Sequence, residues 1–211
     1  LVKKTKSKRS GPNLKQHSPY KDEELVMLLV PLPKNDLLWK ISYVALYTGM
    51  RLEEICQMKW GEFSREEGVL VYTVGDSKTQ AGENRKIPIH SRLEPLFINR
   101  KGKGPEEFVW NSLNTHNARG NKGAVISKRF ARHKQNRGLT RDGLTFHSFR
   151  KNVAGALERG DVSLTRTALL LGHKRGFTYD VYSRDGYRIG QLKEAIEKIS
   201  YPKFEQEFDH L

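Results

Sequence analysis

Three tyrosines fall close together in LLGHKRGFTYDVYSRDGY: Tyr179, Tyr182 and Tyr187, just after the pair Gly172–His173. Most tyrosines in a folded domain bury the ring and hydrogen-bond the hydroxyl. A phenol with a pKa of about 10 becomes a useful nucleophile at neutral pH only where cations surround it. Whether one of these tyrosines does chemistry therefore depends on which cations the chain brings to it. Arg51 lies in TGMRLEEI, Lys78 in GDSKTQAG, and His147 and Arg150 stand three apart in TFHSFRKN, which Thr145 is placed to cap as a helix. Each alone has a plain structural use. Arg51 can pair with Glu54 along a helix turn, Lys78 suits an exposed hairpin, and His147 with Arg150 suits a solvated pair at a helix start. The helix–turn–helix pattern from His147 to Leu171 also fits a simple DNA reader.

The elements that must position these side chains are mostly helical. SPYKDEELVMLLVPLP has acids in its first turn, Leu25, Leu28 and Leu29 at helical spacing, and a stop at Pro31. NDLLWKISYVALYTGM repeats the pattern with Leu38, Ile41, Ala45 and Leu46, and Gly49 ends it. RLEEICQMKW opens a third helix. GVLVYTVGDSKTQAGENRKIPIH changes period to alternating β-branched residues around a Gly-Glu-Asn turn, which predicts a β-hairpin. Residues 100–123 read as loop, the chain is helical again from Val125, Gly160 and Gly172 punctuate successive helices, and RIGQLKEAIEKIS forms a last amphipathic one. The expected fold class is α+β, mostly α-helical, with a small antiparallel β-sheet.

Charge narrows the partner. The 211 residues carry a net charge of +14, and the excess is localised. Residues 1–21 hold seven Lys or Arg and no acid, and residues 111–151 hold ten against one acid. Segregated basic blocks point to a polyanion, and the first of them lacks the amphipathic face of a membrane-surface helix. Double-stranded DNA is the expected partner, with Arg119, Lys122, Lys128, Arg129, Arg132, Lys134, Arg137 and Arg141 as the candidate contact residues. The longest apolar runs are far too short to cross a bilayer, no signal peptide is visible, and Cys56 is the one cysteine, which suits a reducing compartment and offers no cysteine-based metal cluster.

The order of the motifs is more specific than any one of them. Thr-Gly-Met-Arg-x-x-Glu, a hairpin lysine, His-x-x-Arg, Leu-Gly-His and a tyrosine nine residues on resemble the catalytic domain of the tyrosine recombinases, the phage integrase family. The resemblance runs from about Tyr20 to Tyr187. It implies Arg51, Lys78, His147, Arg150, His173 and the nucleophile Tyr182 as catalytic residues, with Glu54 in support. Tyr179 and Tyr187 are then packing residues. The implied reaction is transesterification at a DNA phosphodiester through a 3′-phosphotyrosyl link, without ATP, metal or other cofactor, in the service of integrating or excising a phage or mobile element. A type IB topoisomerase-like enzyme, or a non-cutting DNA-binding protein on this fold, are the alternatives.

The same resemblance sets expectations for organisation. Residues 1–19 read as a basic arm or interdomain linker, 20–187 as the catalytic domain and 188–211 as a C-terminal helix and tail. The chain starts at Leu1 rather than methionine and is read as a piece of a longer protein lacking an N-terminal core-binding domain. Family members act as homotetramers on DNA, and the stripe Ile189, Leu192, Ile196 and Ile199 would pack either on its own domain or on a neighbouring protomer. The setting expected is the cytoplasm of a bacterial or host cell.

Overall fold

The computed structural model describes residues 17–75, 84–98, 102–113, 121–173 and 186–210. Helix α1, Asp22–Leu29, buries Leu25, Leu28 and Leu29 completely. Helix α2, Leu37–Thr48, follows. Asp36 caps its start by accepting from the Leu38 N–H at 2.7 Å, and Gly49 ends it in the left-handed conformation at φ +65°. Ten of its twelve residues are buried, so α2 is the central helix rather than a surface one with a single apolar stripe.

After the short helix α3, Leu52–Cys56, comes a three-stranded antiparallel sheet in the order β1-β2-β3, with β1 at Phe63–Glu66, β2 at Val69–Thr73 and β3 at Lys86–Pro88. The expected hairpin is β2–β3, with Tyr72 opposite Ile87 and Thr73 opposite Lys86. Strand β1 is an addition, joined to β2 by Glu67 and Gly68, both at positive φ (52° and 79°). Two such residues in succession match the right-handed strand twist.

Helix α4, Glu94–Phe97, is a single turn. The stretch beyond it is anchored by Trp110, whose indole N–H donates to the Ile55 carbonyl at 2.7 Å. Helix α5, Gly123–Asn136, starts against α3, where the Glu53 carboxylate accepts the N–H groups of Lys122 and Gly123 at 2.9 and 2.8 Å. Helix α6, Ser148–Arg159, packs on α2 and is followed by α7, Leu164–Leu171. Helix α6 begins three residues beyond Thr145, and the Ser148 hydroxyl oxygen accepts the Thr145 N–H at 3.0 Å.

The C-terminal stretch is two helices, α8 at Ile189–Ile196 and α9 at Pro202–Asp209. Proline suits the first helical position because its missing N–H would have no partner there. Ile189, Leu192, Ile196 and Ile199 are all buried on this chain itself. Among the described residues no helix is long and apolar enough to cross a membrane.

Candidate active site

The turn after α2 delivers Arg51. The Thr48 hydroxyl donates to the Val44 carbonyl at 2.6 Å and accepts the Met50 N–H at 3.2 Å, while the Gly49 N–H returns to Ala45. Arg51 then stands at the start of α3, its N–H on Glu54 Oε2 at 2.8 Å and its guanidinium on Glu54 Oε1 at 2.8 Å. Gly49 has no room for a side chain: a Cβ would lie 2.5 Å from Leu171 Cδ2 and 3.1 Å from Val153 Cγ1. Gly49→Ala, with left-handed strain added to that overlap, is expected to lower stability by about 2–4 kcal/mol in urea denaturation.

Arg150 is buried at 4 % exposure and bridges two helix ends. It donates to the Gly49 carbonyl at 2.7 Å and to the Leu171 carbonyl. A third guanidinium, Arg85, reaches the same place from the sheet. It takes both Glu54 oxygens, at 3.1 and 2.8 Å, and donates from Nε to the Leu170 carbonyl at 3.3 Å. Arg51 extends a long contact, 3.5 Å, to the Gly172 carbonyl. The last three carbonyls of α7 and its cap thus receive one arginine each. A helix C-terminus, with unpaired carbonyls and the negative end of the macrodipole, suits cations. His173 follows directly, and Gly172 at φ +63° turns the chain there.

The electrostatics follow from three guanidiniums around one described carboxylate. Burial works against ionisation of Glu54, but Arg85, joined by Arg51, holds its carboxyl down at about 2. The stability this confers is complete above the ordinary carboxylate range and is lost as pH falls toward 2. Arg150 is lowered to about 10, first by burial and then by Arg51 and Arg85, with Glu54 acting in the opposite sense. His147 is lowered to about 4 by burial and then by His17, Arg150, Lys151 and Arg51. His173 is also lowered, by burial and then by Arg150, Arg51, Lys151 and Arg85. Both imidazoles are therefore neutral at pH 7 beside an excess of positive charge, an electrostatic setting that favours an anion.

Met50, Arg51, Leu52, Ser127, Thr145, Phe146 and His147 line a cleft beside this cluster, between α3, α5 and the start of α6. His17 lies at its rim. Its ring stands 4.8 Å from that of His147, and its Nδ1 is 3.1 Å from the Thr145 hydroxyl.

The structure therefore brings together Arg51, Glu54, His147, Arg150 and His173. Lys78, Tyr179 and Tyr182 lie outside the described residues. Tyr187 packs against the core with the Arg166 guanidinium 5.1 Å from its ring centre.

The candidate DNA-contact residues divide. Lys128 and Arg132 are exposed on α5. Arg129 pairs with Asp36, Arg137 donates to the Met27 carbonyl, and Arg141 binds Glu24 and the Pro19 carbonyl, all holding α5 and the chain after it to α1 and α2. Lys122 is buried with its ammonium over the Phe108 ring, Lys134 is half-buried, and Arg119 lies outside the described residues. Sequence reading missed Arg85, Glu53 and His17. A signal for Arg85 was present, because it falls in alternation with Ile87 and Ile89 through and just beyond both ends of β3 and so shares their inward face.

Among known proteins, the chain is similar to tyrosine recombinase XerA of Pyrococcus furiosus, 29% identical over 183 residues, which is 85% of this chain and 60% of that protein's length. In fold it is similar to the integrase of mycobacterium phage Brujita, with TM-score 0.61, 17% identity and coverage of 98% of this chain and 67% of the other. It is also similar to lambda integrase in a tetramer bound to a Holliday junction, with TM-score 0.54, 21% identity, and 82% and 49% of the two chains covered. The fold is thus that of integrases, and the motifs that carry the arginine cluster lie within residues 34–188, which match the model of the phage integrase family. The chain belongs to the phage integrase family.

Proposed function

We propose that this chain is the strand-cutting and strand-joining part of a site-specific DNA recombinase. The carrying observation is the convergence of Arg51, Arg85 and Arg150 on the end of α7, with two neutral histidines and one carboxylate beside them. A phosphodiester is the anion this arrangement fits. Its non-bridging oxygens gather charge in the transition state, and the planar guanidinium forks of Arg51 and Arg150 are suited to them.

In this reading the Tyr182 oxygen attacks phosphorus and the 5′-oxygen leaves, forming a 3′-phosphotyrosyl link. Lys78 protonates the leaving oxygen. A 5′-hydroxyl from another strand reverses the step, so bond energy stays in the linkage. His147 accepts the tyrosine proton. It is a weak base in the free protein, and the charge of bound phosphate raises its proton affinity. His173 hydrogen-bonds the phosphate or steadies Tyr182. Lys128 and Arg132, exposed on α5 beside the cleft, contact the duplex. Affinity then falls steeply with salt, as phosphate contacts require. The whole protein carries a further DNA-binding domain ahead of this one and acts as a homotetramer on DNA.

The test is a nicked suicide substrate carrying the element's attachment site, incubated with and without EDTA. A covalent complex that survives SDS in both conditions is expected. A strict magnesium requirement for cleavage would sink the arginine-based mechanism. Binding without any adduct would leave a non-cutting DNA-binding protein. Relaxation of supercoiled plasmid by the monomer, without strand exchange, would favour the topoisomerase-like alternative.

A further inference from the structure

Arg85 makes contacts that none of the motif residues can make in its place. It is 8 % exposed, its neighbour Lys86 is exposed, and the strand alternation turns it into the core beside Ile87 and Ile89. Burying a guanidinium is costly unless its charge and donors are matched. The match here is to two elements at once. Both Glu54 oxygens take its terminal nitrogens, and the Leu170 carbonyl takes Nε.

Glu54 in turn holds Arg51 through its backbone N–H and its guanidinium, each at 2.8 Å. Leu170 precedes the two residues whose carbonyls hold Arg150 and Arg51. Gly172 closes the arrangement, since a Cβ there would stand 3.0 Å from Arg85 Cδ and 3.1 Å from its Nη1. We propose that Arg85 is a positioning residue that fixes the Arg51–Glu54 pair and the end of α7, and so His173, in one geometry for phosphate. The proposal rests on the recombinase reading above and extends it by a residue at which phosphate contact is not required.

The surrounding charges favour this role over that of a mere filler. Glu54 is faced by Arg51 from its own helix, by Arg85 and Tyr72 from the sheet, and by Arg150 from α6. With Arg85 present, the carboxylate is shared and Arg51 keeps donor capacity for a phosphate oxygen. Without Arg85, the buried carboxylate falls back on Arg51 and draws its charge away from the substrate.

The experiment compares the parent, Arg85→Met and Arg85→Lys on the nicked substrate at saturating DNA, reading the rate of covalent complex formation across pH. DNA affinity at fixed salt and the urea midpoint are measured alongside. For Arg85→Met a slowing of about 100-fold is expected, the scale set by misplacing reacting groups by about 1 Å, with DNA affinity unchanged. A new loss of rate on the acid side is also expected, because Glu54 deprived of Arg85 titrates toward and above its ordinary range. Arg85→Lys should fall between the two, since an ammonium cannot span both carboxylate oxygens and the Leu170 carbonyl. A parent-like rate in folded variants overturns the proposal. So does a slower rate with the parent's pH profile, which would make Arg85 a general support of the fold. Should Arg85→Met fail to fold, Arg85→Lys is read by the same two criteria. No adduct from the parent itself would instead defeat the recombinase reading.

Discussion

Tyr182→Phe is expected to bind DNA like the parent and to form no SDS-resistant complex at all, while Tyr179→Phe and Tyr187→Phe still form it. The substitution removes one oxygen and keeps the ring, so only a nucleophile is lost. A phenol with a pKa of about 10 is about one part in a thousand ionised at pH 7, and the cations around it decide whether that fraction is useful. His173, nine residues before Tyr182 in the chain, stands directly after the helix terminus that collects Arg51, Arg85 and Arg150. The Tyr187 ring packs against the core under Arg166, so it is already engaged. Gel analysis of trapped substrate decides the matter. Loss of the adduct in the Tyr179 variant with retention in the Tyr182 variant would move the nucleophile three residues upstream.

Elements with strong periodicity or a special turn are legible in the amino-acid sequence alone. Helices α1 and α2, the β2–β3 pairing and the stops at Gly49 and Gly172 all follow from residue types whose physical role is local. Strand β1 is not legible, since Phe63-Ser64-Arg65-Glu66 has one apolar residue and takes its conformation from pairing with β2. Helix α9 is hidden for a similar reason, because Tyr201, Phe204 and Phe208 lie among charges and only tertiary contact shows which face is used. The site shows the same division. Motif spacing picks out Arg51, Glu54, His147, Arg150 and His173, which converge. It does not pick out Arg85, whose partners Glu54 and Leu170 lie 31 and 85 residues away. Charge counting has a related blind spot. The basic stretch from Arg119 to Arg141 reads as one surface, yet Arg129, Arg137 and Arg141 spend donors on Asp36, Met27, Glu24 and Pro19. A composition count cannot separate cations that bind outward from cations that hold the fold together.

Phe204→Ala is expected to lower the stability of the isolated chain by about 3–5 kcal/mol, the usual cost of emptying a buried phenylalanine site. A domain of this kind has only about 5–15 kcal/mol in total, so the urea midpoint should fall sharply. Phe204 is fully buried, with its ring centre 5.6 Å from that of Phe208 and 6.4 Å from that of Tyr43 on α2. The rest of α9 is tied down by polar contacts to the same surface. The Tyr201 hydroxyl donates to the Leu46 carbonyl at 3.0 Å, the Tyr47 hydroxyl donates to Glu205 at 2.7 Å, and Arg92 binds both oxygens of Asp209 at 2.9 and 2.8 Å. Tyr47 and Leu46 lie in the last turn of α2, two to three residues before the Gly49 carbonyl that holds Arg150. Exchange of this tail between protomers would have to replace these contacts with the same contacts from a neighbour, as domain swapping does. A chain ending at Ser200 should therefore lose stability by at least as much as Phe204→Ala, and its cleavage activity should fall with it. A truncated chain that keeps the parent's urea midpoint and loses only its DNA-bound oligomers would show instead that α9 serves assembly and contributes little to the fold.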